Sequence, residues 1–107
     1  MDKIPFDPQQ WQVAVQFEQW QVAYLGYCER FASLTGMERH MLTDEVFVLL
    51  QGKAVLYLEE AQVEMEQGVV YNVKKGEWHH IVVSPDASVL VVENRNTTLE
   101  NTERRPV

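Results

Sequence analysis

The chain has 107 residues, enough for one domain, and sixteen Asp and Glu against nine Lys and Arg give it a net charge of −7. With no basic stripe, that balance excludes the electrostatic footprint of a nucleic-acid or anionic-membrane binder. The single cysteine, Cys28, excludes an intrachain disulfide, and the longest apolar run, residues 46–50, is far too short to span a bilayer. The first ten residues hold an early acid and two prolines and no apolar core of a secretory signal, so the expected compartment is the cytoplasm.

Taken in order, residues 11–17 (WQVAVQF) alternate and predict a strand with Val13, Val15 and Phe17 on one face. Residues 20–27 are β-branched and aromatic, a second strand. The best helix candidate, residues 29–37, is cut short by Thr35-Gly36. Residues 45–50 form an apolar strand, residues 54–58 another, and the two are expected to pair as a hairpin around Gln51-Gly52-Lys53. Residues 62–66 alternate as far as Gly68, and residues 69–73 end at Lys74-Lys75-Gly76, a solvated turn. Residues 78–83 and 88–92 follow, joined through Ser84-Pro85-Asp86. From Asn94 onward apolar periodicity is lost, and residues 94–107 read as a polar, extended tail lying on the surface or on a partner. Short strands at this regular spacing predict an all-β sandwich or small barrel.

The chemistry concentrates in ERHMLTDEVFVLLQG, residues 38–52. Glu38 and His40 share a face if their segment is extended. Glu45 shares its face with Phe47 and Leu49, the face that should look inward. An unpaired carboxylate there costs roughly several kcal/mol or takes up a proton, and a bound cation resolves the conflict. His79 plays the same part on another strand, sharing a face with Ile81 and Val83. Two imidazoles and two carboxylates suit Mn²⁺, Fe²⁺, Zn²⁺ or Ni²⁺. His80 points to the opposite face and is not counted as a ligand. Trp78 reads as a rim or packing aromatic. The four tyrosines read as wall residues, of which one or two could line a pocket. Cys28, followed by Glu29 and Arg30, is not read as a nucleophile, since a catalytic thiol needs a base and an oxyanion site.

These residues resemble the two motifs of the cupin superfamily, G-x5-H-x-H-x(3,4)-E-x6-G and G-x5-P-x-G-x2-H-x3-N. In the first, at about residues 38–52, His40, Glu45 and Gly52 fall at the family spacing; in the second, at about residues 68–83, Gly68, Gly76 and His79 do. Ala32 stands for the first glycine, Glu38 for the first histidine, Lys74 for the proline and Val83 for the asparagine. The resemblance implies a cupin double-stranded β-helix, an all-β jelly-roll barrel, in one domain over residues 1–107. It implies a divalent metal ion on Glu38, His40, Glu45 and His79, and a homodimer. Glu38 has three readings: a fourth ligand, a catalytic base beside a three-ligand site, or part of a site that has lost its metal. The function implied is a metal-dependent enzyme, isomerase/lyase-like or dioxygenase-like, acting on a small polar metabolite such as a sugar or keto acid. The alternative is a non-catalytic module that binds or senses a metal or small molecule. Neither nucleic acid nor membrane is expected as a partner.

Overall fold

The structure, a computed structural model, describes residues 1–7 and 11–107. Its strands are Trp11–Phe17 (β1), Trp20–Gly26 (β2), Gly36–His40 (β3), Glu45–Gln51 (β4), Ala54–Leu58 (β5), Gln62–Glu64 (β6), Val70–Val73 (β7), His79–Val83 (β8), Ser88–Asn94 (β9) and Thr102–Pro106 (β10). They form two antiparallel five-stranded sheets, ordered β1-β2-β9-β4-β7 and β10-β3-β8-β5-β6. No helix among the described residues is long and apolar enough to cross a membrane.

The sheets face each other over one apolar core. Period-two alternation places Phe47 and Leu49 of β4, Val89 and Val91 of β9, Leu56 of β5, and Ile81 and Val83 of β8 inside, all buried. The same alternation carries polar side chains into the interior wherever a strand's inward face ends in one.

The expected hairpin of β4 and β5 does not form. The two strands lie in different sheets, so the chain crosses the barrel at Gly52 instead of folding back. The return crossing, from β8 to β9 through residues 84–87, lies against it. Lys53 N donates to Ser84 Oγ and Ser84 N donates to Lys53 O, both at 2.9 Å. Gly52 takes φ +78°, and an added Cβ would stand 2.7 Å from Ala87 Cα. The glycine is therefore needed for the fit of the two crossings as well as for its backbone angle.

Three other expectations change. Val13, Val15 and Phe17 do not share a face: Val13 pairs with Ala23, but a register shift follows and Val15 pairs with Val22. That bulge turns Trp11 and Val13 toward the interior side and Val15 and Phe17 outward. The helix candidate is reduced to one 3-10 turn, Glu29–Phe31, after which the chain extends into β3. The polar C-terminal stretch is built into the second sheet. β10 pairs with β3 over its whole length, Thr102 opposite His40 and Arg104 opposite Glu38. Cross-strand charge supports that pairing in place of apolar alternation. Arg39 donates to its partner Glu103 at 2.6 Å. The Arg39 and Arg105 guanidinium groups also lie over the Trp78 ring, 4.6 and 4.3 Å from its centroid.

Candidate functional site

Polar side chains from both sheets meet in a cavity of about 380 Å³. The register explains their convergence. Glu38 of β3 pairs with His79 of β8, and Thr102 of β10 with His40. From the facing sheet come Glu45, at the start of β4, and Glu93, near the end of β9. Trp11, Phe31, Phe47 and Leu99 supply apolar wall. None of the four tyrosines lines this cavity: Tyr24 instead donates to Ile4 O and Tyr71 accepts from Glu66 N.

Glu45 is the centre of the cluster. Its Oε1 lies 3.0 Å from His40 Nε2 and 3.0 Å from His79 Nε2. His79 Nδ1 is 2.9 Å from Glu77 O. A carbonyl only accepts, so Nδ1 carries a proton, and the neutral ring turns its Nε2 lone pair toward Glu45. His40 Nδ1 lies 2.9 Å from Thr102 Oγ1, a hydroxyl that can accept or donate; with that hydroxyl accepting, His40 also turns its Nε2 lone pair toward Glu45. Two imidazole lone pairs and a carboxylate oxygen facing one another at that range need a positive charge among them, either protons or a metal ion. The donor set and its outer hydrogen bonds therefore fit a divalent cation. One ligand atom each from Glu38, His40 and His79 lies within 4.8 Å of the others, and the same holds for His40, Glu45 and Glu93.

Glu93 was outside the sequence reading, although its signal was present. It continues the inward face of Val89 and Val91 just past the expected strand end at residue 92, and a charge ending an apolar face is the pattern that marked Glu45. Glu93 accepts from Gln21 Nε2 at 2.9 Å and shares a hydrogen bond with Glu45. Thr102 and Arg104 were missed because β10 has no apolar periodicity.

The remaining candidates are placed as follows. Glu38 Oε2 accepts from Arg30 Nη2 at 2.8 Å and lies 3.5 Å from Arg104 Nε. His80 faces away from His79, buried against Ser33 O at 3.1 Å. Cys28 precedes the 3-10 turn and packs on the core.

Burial opposes the charged forms here, and the hydrogen bonds decide which win. For His40 and His79 burial lowers the pKa, but the bond to the Glu45 carboxylate and its charge raise it above the ordinary 6.5. Burial favours a neutral Glu45, yet bonds from His40, His79 and Glu93 hold its carboxyl well below the usual range. Burial, with the adjacent Glu45, pushes Glu93 up to about 8.

These shifts make the metal-free fold pH-sensitive. His40, His79 and Glu93 have raised folded values, so their stabilisation is complete below their ordinary values and lost as pH rises through the folded ones. Glu45 is depressed, so its stabilisation is present above 4.5 and lost only as pH falls through its folded value. The steepest loss lies where the rising-pH windows overlap, a range that begins at 6.5 and lies below the Glu93 limit of about 8. Calorimetry in chelator is expected to show Tm falling by on the order of 5 °C across that window. A flat profile is incompatible with this cluster.

Neither a family model nor any curated protein matches the sequence. Solved structures do match. Pac13 of Streptomyces, described as a nucleoside dehydratase and also solved with uridine, superposes with a TM-score of 0.71 at 12% identity over 99% of this chain and 92% of its own. KdgF from Halomonas sp. gives 0.66 at 15% identity over 78% and 77%. A cupin-2 domain protein from Shewanella frigidimarina gives 0.65 at 18% identity over 84% of each chain. The chain has the cupin fold. Its two facing sheets are those of the cupin jelly-roll barrel, and at these identities the likeness speaks for the fold alone.

Proposed function

We propose that this cupin is a metal-dependent enzyme acting on a small polar metabolite in the barrel cavity, by isomerase- or lyase-type chemistry. The observation that carries the reading is the convergence of the His40 and His79 Nε2 atoms on one Glu45 oxygen, each at 3.0 Å. His40, Glu45 and His79 would hold the ion, with Glu38 on the same wall. When bound there, a divalent ion would supply Lewis-acid polarisation of a carbonyl or hydroxyl oxygen. The chain's own residues do the rest. Glu38, oriented by Arg30, lines the cavity and would act as the base. Glu93 keeps a proton on the buried carboxyl beside Glu45, and Trp11, Phe31 and Phe47 limit water. The likeness to a nucleoside dehydratase favours loss of water over oxygen chemistry, as an analogy of fold.

A second reading has a specific observation behind it. With protons in place of metal, the same two imidazoles share one carboxylate and form a proton-transfer cluster without an ion.

The proposed unit is a homodimer. The outer face of the β1-β2-β9-β4-β7 sheet is apolar and leaves Phe17, Trp20 and Val70 at 61%, 43% and 64% exposure. A second copy is the partner that would cover both this face and the edge strand β1.

Native mass spectrometry tests metal and pairing together. After reconstitution with Mn²⁺, Fe²⁺, Zn²⁺ or Ni²⁺, a dimer with one ion per chain is expected. A variant with both His40→Ala and His79→Ala should keep the dimer and lose the ion. No ion retained from any of the four overturns the metal reading in favour of the proton cluster, and a monomer overturns the pairing.

A further inference from the structure

A second cavity of about 250 Å³ adjoins the first and shares Arg30, Glu38 and Arg104 with it. These three side chains form the seam between the compartments. Arg30 stands on the 3-10 turn, 5.0 Å over the Phe31 ring. Arg104 comes from β10, so the two guanidinium groups reach Glu38 from separate elements. The carboxylate is enclosed, at 16% exposure, while the arginine side chains are 47% and 54% exposed. Two guanidinium groups carry roughly ten N–H donors, and one carboxylate has only about four acceptor sites. Arg104 meets Glu38 at 3.5 Å, longer than the roughly 2.7–2.9 Å of a charge-assisted hydrogen bond. The seam thus has a surplus of donors and one net positive charge, on a chain whose total is −7.

We propose that Arg30 and Arg104 form an anion subsite, and that the molecule bound beside His40 and His79 bears a carboxylate or phosphate group. Its polar, reacting part faces the histidines, and its anionic group takes the donors that Glu38 leaves free. Arginine forks match either anion in a two-pronged geometry. Glu38 is then also a specificity element, because its own charge competes with the incoming anion for the same guanidinium groups. The inference rests on reading the inner cavity as the substrate site.

The test uses one carbon skeleton in three charge states: glycerol, glycerate and glycerol 3-phosphate. Each is titrated into ¹⁵N-labelled protein, with and without Zn²⁺, while the arginine Nε–Hε resonances are followed by NMR. At least one anion is expected to shift the Arg30 and Arg104 signals saturably, binding about tenfold or more tightly than glycerol. Arg30→Gln and Arg104→Gln should each weaken that binding by about tenfold, Glu38→Gln should tighten it several-fold, and Arg39→Gln, on the Trp78 side, should leave it unchanged. Preference for glycerate assigns a carboxylate substrate, and preference for glycerol 3-phosphate a phosphate monoester. Binding of neither anion, or binding indifferent to both arginine variants, overturns the proposal. Zinc retention in the same samples separates the two readings: zinc held without anion binding removes only the anion subsite, and anion binding without zinc removes only the metal.

Discussion

Glu45→Gln is expected to cost the metal-free protein about 3 kcal/mol at about pH 6, read from urea unfolding. The Glu45 carboxylate is buried and accepts from both His40 and His79 through one oxygen. An amide oxygen can accept in its place, but it carries no charge to balance an imidazolium. Its NH₂ group adds donors to a cluster that already has too many, and Glu93 loses the acceptor for its proton. The penalty comes from imidazolium groups left buried without a counter-charge, so it should be smaller at about pH 9, since the rings give up their protons as pH rises. Metal retention should fall in the same variant, since a neutral amide is a poor substitute for a carboxylate ligand. A cost under about 1 kcal/mol at the lower pH, or one equal at both, would show that Glu45 does not hold charged rings.

Gly52→Ala should be the most damaging glycine substitution, at about 3 kcal/mol, while Gly76→Ala should cost only about 1–2 kcal/mol. Both glycines have positive φ, +78° and +82°. A Cβ at Gly76 meets nothing within 4 Å, so only the backbone penalty applies. At Gly52 a Cβ also meets Ala87 Cα at 2.7 Å and Ala87 N at 2.9 Å, and backbone atoms cannot swing aside as a side chain can. Relief would have to separate the two sheet crossings, breaking the paired hydrogen bonds between Lys53 and Ser84. Thermal unfolding of the two variants in one buffer checks the ordering. Equal losses would mean that the crossings tolerate a methyl group between them.

The Gly52 contact also marks how far sequence could be read. Strand positions were legible from alternation, because β4, β5, β8 and β9 each bury one face in a common core. Partner choice was not. A glycine between two short apolar strands is the local signature of a hairpin, and only the packing of the opposite sheet turns it into a crossing. Glu45 and His79 could be singled out because each is a polar group on an otherwise apolar inward face. Glu93 obeys the same rule one residue beyond where strand β9 was expected to end. Thr102 and Arg104 were illegible for a different reason. β10 is held by ion pairs and by Arg39 and Arg105 stacked on Trp78, and such contacts leave no periodicity in the segment that makes them.

The strand order has a consequence for how the chain folds. In the first sheet β9 lies between β2 and β4, pairing Trp20 with Asn94 on one side and Val46 with Val92 on the other. Until that late strand inserts, β1-β2 and β4-β7 are separate ribbons with no shared core, and Glu45 has no Glu93 beside it. Closing such long loops before any contact rewards them places this chain among slow folders, on the scale of milliseconds to seconds. The polar cluster around Glu45 is then complete only in the finished barrel, once Glu93 has joined it.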